Sequence, residues 1–312
     1  MIGATGWINA PGWVDDALQV MPTPFICDTQ YYHDLKKLSQ GHVDIKPWEL
    51  EIKALGKRLP AHYQARGTCV SQGFSRAVQF VSLVDMVLGN QPEEWIARVH
   101  PGSIYAASRV EIGGGEISGD GSVGAWAARA VSELGVLYRI KYLNGKYDLT
   151  ADQDELFSVE WGKRGRGVPD DLEPSMREHP ISDASMVTSA DEFVLLQYDC
   201  KPVPICSNRG FTTKRDAQGF CKPSGTWNHC MLAFGLLKIK GGRLGAIIWQ
   251  SWGKDSPTGP DKITLETGEE VQLSEGTFLV ELDVINKMLG QEDSFALTGI
   301  KGWEPTPLLV VA

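Results

Sequence analysis

The chain has 312 residues, 42% of them hydrophobic and 22% charged, with 30 basic residues against 39 acidic, a formal net charge of -9. That length and composition give one large or two ordinary globular domains with a sizeable core. The acidic balance and the lack of a basic run with interleaved aromatics argue against nucleic acid as a partner. No stretch reaches the ~18 consecutive apolar residues that a membrane span needs.

Residues 1–60 show no sustained helical or strand period and are interrupted at Pro11, Gly12, Pro22, Pro24, Pro47 and Pro60. They are expected to form an N-terminal extension that packs on the body or on a neighbour. Its start, "MIGATGWINAPGWVDD", has no basic leader, so no signal peptide is expected and an intracellular or virion-associated location follows.

Residues 61–180 read as a helical lobe. From Cys69 the apolar positions Val70, Phe74, Ala77, Val81, Val84 and Leu88 step by four and three, one face of a helix. Phe80, Leu83 and Val87 lie on other faces, which predicts a helix buried on most sides. Thr68 is the expected N-cap and Gly89-Asn90 the stop. A second helix is predicted from Ser122 as N-cap through Val123, Trp126, Ala127, Ala130 and Leu134 to Gly135. The polar, proline-bearing stretch from about 151 to 190 is the candidate domain junction.

Residues 181–290 read as a β-rich lobe. After a short helix near Ala190–Tyr198, "KPVPICS", "HCMLAFGLLKI", "LGAIIWQSW" and "EGTFLVEL" are short aliphatic and aromatic runs separated by turns. Residues 291–312 form a tail. Segregated helical and strand halves, without repeats, give an α+β fold class. None of the six cysteines forms a C-x-x-C pair, so neither a metal nor another cofactor is expected. Cys200, Cys206, Cys221 and Cys230 are close enough in sequence for a local disulfide, with free thiols as the plainer reading.

Cys69 falls on the first turn of its helix, where unpaired backbone N–H groups favour the thiolate that a nucleophile needs. Position alone fits an inert buried cysteine equally well. His229 begins the run that reaches the "KGGR" turn, and the returning run ends at Gln250. The two therefore lie within a few rungs of each other at the open end of one hairpin. There an amide can orient an imidazole towards a thiolate, while a core histidine and a strand-end amide are the bland alternatives.

"RGTCVSQGF", "WNHCMLAFG" and "IIWQSWGKDSPTG" resemble, in that order, the cysteine, histidine and "NSWG" segments of papain-like cysteine peptidases, in a form close to the bacterial and phage-type branch. The resemblance covers roughly residues 60 to 290. It implies a two-lobed fold with a helical N-terminal lobe, a β-barrel-like C-terminal lobe and the active site in the cleft between them. By position, Cys69 is the implied nucleophile, His229 the general base and acid, and Gln250 stands where the family has Asn. Trp252 matches the tryptophan that shields that amide. Gly121, Ser122 and Asn228 are the implied substrate-binding residues, although Gly121 and Ser122 suit a turn and a helix cap as well.

Two departures stand out. Gln250 is one methylene longer than Asn, and Gln64, the oxyanion candidate, lies five residues before Cys69 instead of six, with Tyr63 at the sixth. Arg66 also occupies the position three before Cys69, so the cysteines that staple secreted members are missing. The leading expectation is a peptidase acting on peptide or protein substrates. The alternatives are an impaired or latent module in a larger, viral or other assembly, with residues 1–60 and the tail as contact surfaces, and acyl transfer to an amine.

Overall fold

The computed structural model describes residues 3–38, 41–89, 94–151, 158–303 and 306–308. Met1, Asn90, residues 152–157 of the expected junction and residues 309–312 of the tail lie outside the described residues.

The helices of the first part are α1 (Pro11–Leu18), α2 (Gln30–Lys37), α3 (Trp48–Leu55), α4 (Cys69–Leu88), α5 (Pro101–Ala107) and α6 (Gly124–Arg129). A small ribbon, β1 (Lys141–Tyr142) and β2 (Tyr147–Asp148), and the short α7 (Glu173–Met176) follow. Then come β3 (Ile181–Met186), α8 (Ala190–Tyr198), β4 (Val203–Phe211), β5 (Pro223–Ile239) and β6 (Arg243–Trp249). The chain continues through β7 (Lys262–Thr264), β8 (Glu270–Gln272), β9 (Thr277–Glu281), α9 (Leu282–Leu289) and β10 (Phe295–Ile300). The main sheet is antiparallel in the order β4-β5-β6-β9.

The α4 helix has the expected span and is buried at every position from Cys69 to Asp85. It lies on β5 and β6, where Phe80 meets the rings of Phe234 at 4.9 Å and Trp249 at 5.1 Å, edge to face. Those contacts join the helical and sheet-rich halves at the middle of α4. A buried ion pair, Arg76 to Glu51 at 2.7 Å, ties α4 to α3.

Thr68 is the N-cap residue of α4 as expected, without a side-chain bond, and the expected cap of α6 needs correction. The Thr68 carbonyl accepts from Gln72 N and Ser71 Oγ. Val123, not Ser122, is the N-cap residue of α6, and the Asp293 carboxylate supplies the acceptors for Gly124 N and Ala125 N, each at 2.7 Å. A carboxylate from a distant segment satisfies those orphan donors as well as a neighbouring hydroxyl does.

The extension is more regular than its sequence implied, because α1, α2 and α3 are eight residues each, too short to display a sustained period. It packs on the body of the same chain through isolated bridges Trp7 to Ser122, Phe25 to Met186 and Ile45 to Leu236, and through Trp13 stacked on Trp126 at 4.7 Å. The expected tail starts inside the body: β10 pairs antiparallel with β3, and Phe295, Ala296 and Leu297 are fully buried. All six cysteines are free thiols.

Candidate active site

Cys69 opens α4 and is fully buried. Burial first, and then the neighbouring Cys230 thiol, push its thiol up to about 12, against the pull of the backbone N–H groups of Cys230, Gly6 and Val70. Desolvation outweighs the helix terminus here, so Cys69 is a thiol at neutral pH.

His229 lies on β5 opposite Ser207 of β4. Its ring stacks on Trp252 with centroids 4.6 Å apart and planes 27° apart. The ring is completely buried and neither nitrogen has a hydrogen-bond partner among the described residues. Burial pushes it down to about 3, which leaves a neutral imidazole. In this state His229 is hydrogen-bonded neither to Cys69 nor to Gln250.

Leu232 pairs with Trp249 in the hairpin, so Gln250 follows the last rung directly and His229 precedes it by three residues. The expected proximity along the hairpin is therefore present, but the expected amide-to-imidazole bond is not formed. Gln250 Nε2 donates to the Ser256 carbonyl, and its buried Oε1 has no hydrogen-bond partner among the described residues. The extra methylene lets the amide reach the following loop instead of turning back to the ring.

Gln64, not Tyr63, points inward. It is 3% exposed against 54% for Tyr63. Its Nε2 donates to the carbonyls of Ala4 and Arg66, each at 2.8 Å, while its Oε1 accepts from Ser251 Oγ. Trp252 Nε1 donates to the same Ala4 carbonyl at 2.9 Å. Two side-chain donors thus converge on one carbonyl oxygen beside the Cys69 turn.

That carbonyl belongs to the N-terminal extension, which sequence reasoning did not connect with the site. Residues 3–8 lie over Cys69, with the Gly6 backbone N–H directed at its thiol and Trp7 in an isolated bridge to Ser122. Gly6 N and Trp7 N donate to the Asn228 carbonyl at 3.1 and 3.0 Å. Ser122 N donates to the Gly6 carbonyl at 2.9 Å and Ile8 N to the Ser122 carbonyl at 3.0 Å, a parallel bridge. Gly6 is required by this close approach, since a Cβ there would overlap the Gly67 carbonyl. Cys69, Gln64, Trp252, Asn228, Gly121 and Ser122 therefore surround one filled groove, with His229 stacked behind Trp252.

The wall of the groove is held from behind by another group that the sequence did not reveal. Arg109, buried in the turn after α5, donates to the carbonyls of Gly162 at 2.8 Å, Ile117 at 3.0 Å and Gly119 at 2.6 Å, and to that of Gly121. One guanidinium thereby gathers the loop before α6. Gly121 has φ +115°, and a Cβ would lie 2.6 Å from the Gly6 carbonyl, so glycine serves both the turn and the approach of the strand. Ser122 Oγ pairs with Ser108 Oγ at 2.9 Å.

No protein-family model and no curated protein sequence matches the chain. Solved structures do. Xylellain, a cysteine protease from Xylella fastidiosa, is 16% identical with a TM-score of 0.56, over 96% of this chain and 97% of that one. Procathepsin B S9 from Trypanosoma congolense is 11% identical with a TM-score of 0.53, over 98% of this chain and 87% of that one. The ragweed pollen allergen Amb a 11, a cysteine protease in its proform, is 14% identical with a TM-score of 0.50, over 92% and 73%. The chain has the papain-like fold.

Proposed function

We propose that the chain is a cysteine peptidase held latent by its own N-terminal strand. The observation that carries this reading is the path of residues 3–8: their backbone covers Cys69 and takes up the hydrogen bonds of Gln64, Trp252, Asn228 and Ser122. Those are the groups that a peptide substrate would use. Two of the similar structures named above are themselves proforms.

With the strand withdrawn, water enters the groove and the desolvation that keeps Cys69 a thiol and His229 neutral is relieved. The thiol proton then passes to His229, and the thiolate attacks a peptide carbonyl. Gln64 Nε2 and the Cys69 backbone N–H receive the developing oxyanion. His229 protonates the leaving amine, and water hydrolyses the thioester with His229 as base. Gln250 is the residue available to orient the imidazole, which requires it to leave the Ser256 carbonyl.

Gly6→Ala is designed to expel the strand. The variant is expected to react with an epoxysuccinyl or vinyl-sulfone probe and to cleave peptides, and both activities are expected to be absent in Gly6→Ala/Cys69→Ala. The present hydrogen bond of Gln250 to Ser256 and the unengaged ring of His229 favour a second reading, a non-catalytic module. An exposed Cys69 that stays inert to the probe in Gly6→Ala would establish that reading instead.

A further inference from the structure

Between α4 and the end of β6 lies a small cavity whose lining includes His62, Gln72, Arg76, Cys230, Gln250 and Ser251. Its volume of about 10 Å³ matches a single water molecule. Arg76, His62 and Gln250 are only 4%, 6% and 6% exposed. Each has one buried side-chain atom with no hydrogen-bond partner among the described residues: Arg76 Nε, His62 Nε2 and Gln250 Oε1.

The other polar atoms of these side chains are engaged. Arg76 Nη2 donates to Glu51 at 2.7 Å and Nη1 to the Pro60 carbonyl at 3.3 Å. Gln250 Nε2 donates to the Ser256 carbonyl. His62 Nδ1 lies 2.8 Å from Gln72 Oε1, and Gln72 Nε2 donates to the Tyr63 carbonyl at 3.5 Å. The oxygen of that amide therefore faces the ring, and Nδ1 carries the proton. Burial, then the charges of Arg98 and Arg76, hold His62 well below the ordinary histidine range, so the ring is neutral and Nε2 is an acceptor.

The geometry points to a binding site for one water molecule in this cavity, through which Arg76 and His62 act as positioning residues that hold the Gln250 amide turned away from His229. The site presents one N–H donor and two acceptors. Water answers all three, since its oxygen accepts from Arg76 Nε while its two O–H groups donate to His62 Nε2 and Gln250 Oε1. A chloride ion has no proton for either acceptor, and an ammonium ion has no lone pair for the guanidinium. Buried polar atoms left unpaired are costly, and a bridging water removes that cost for three atoms at once.

The consequence for catalysis rests on the peptidase reading; the water site itself does not. Gln250 Oε1 is the acceptor that an imidazole N–H of His229 would need. The water occupies that oxygen and Ser256 holds the amide nitrogen, so both ends of the side chain are tied down. Turning Gln250 to His229 exchanges the water for the ring.

A crystal structure of the intact chain tests the site directly. One water is expected within about 3.2 Å of Arg76 Nε, His62 Nε2 and Gln250 Oε1. Nitrogen-15 NMR of the same protein is expected to show His62 protonated at Nδ1 and bare at Nε2. An empty cavity, a water out of reach of Gln250, an ion in its place, or a proton on Nε2 would overturn the inference. Both measurements use the unaltered chain, so they decide the matter even where a variant fails to fold.

The hold on Gln250 is tested in the Gly6→Ala background. His62→Phe removes the acceptor and is expected to raise kcat about two- to tenfold, as release of one hydrogen bond would, with the gain in kcat and not in KM. His62→Gln keeps an acceptor and is expected to give the smaller rise of the two. No rise in His62→Phe, or equal rises in both, overturns the positioning role. If Gly6→Ala hydrolyses nothing while the water is in place, the peptidase reading falls and the water site stands.

Discussion

At Cys69 two physical effects oppose each other, and burial wins. The helix terminus and three backbone N–H groups favour the thiolate, yet the thiol is pushed up to about 12. At pH 7 the thiolate fraction is then ~10⁻⁵, against a few per cent for a free cysteine. Iodoacetamide should therefore alkylate Cys69 in the intact chain at least about a hundredfold more slowly than a free thiol. Mass spectrometry of the peptide containing Cys69 reads this directly. Gln64 is the other decisive residue. In the strand-free enzyme, Gln64→Ala should lower kcat by about 10²–10³, as expected for loss of an oxyanion donor. A loss of only a few-fold would assign the oxyanion to other groups.

The element that controls the site is the strand of residues 3–8, which has little side-chain bulk near Cys69 and is held by backbone bonds and Trp7. Adding a single methyl in Gly6→Ala brings it against the Gly67 carbonyl, which is backbone and cannot step aside. Alkylation of Cys69 should accelerate by at least about tenfold in that variant, as relief of burial lets the thiol move back towards its ordinary range. The opposite wall depends on Arg109, whose guanidinium serves four carbonyls. Arg109→Ala leaves buried acceptors without donors, and a loss of about 2–4 kcal/mol in chemical denaturation is expected. Peptides should also bind the loosened loop of Gly121 and Ser122 more weakly.

For the whole molecule, the buried imidazole of His229 and the buried carboxyl of Asp293 act on stability in opposite senses. His229 falls from 6.5 to about 3 on folding, so between those values the unfolded chain binds the extra proton. Its contribution is complete above pH 6.5 and is lost as pH falls towards 3. Asp293 rises from 3.8 to about 7, so the folded chain binds the extra proton in that window. Its contribution is complete below pH 3.8 and is lost as pH rises through 7. Removing the titration of His229, as in His229→Asn, should therefore flatten the fall of Tm between pH 6.5 and 4; an unchanged slope would show that the ring is not the buried neutral base described.

The sequence by itself determined α4, because a twenty-residue helix repeats its apolar spacing often enough to be read. It also determined the order Cys69, His229, Gln250 and the hairpin that keeps the last two near each other, since local periodicity and a turn are encoded where they occur. It could not assign the cap of α6, which comes from a carboxylate 169 residues away. Nor could it assign the path of residues 3–8, whose glycines and lone tryptophan have no periodicity and are held by contacts with Gln64, Ser122, Asn228, Trp252 and Asp293, far apart in sequence. The direction of the Gln250 amide and the depth at which Cys69 and His229 are buried were likewise decided by tertiary structure. Burial and the choice among competing hydrogen-bond partners depend on what packs above a residue: residues 3–8 over Cys69, and the Trp252 ring against His229.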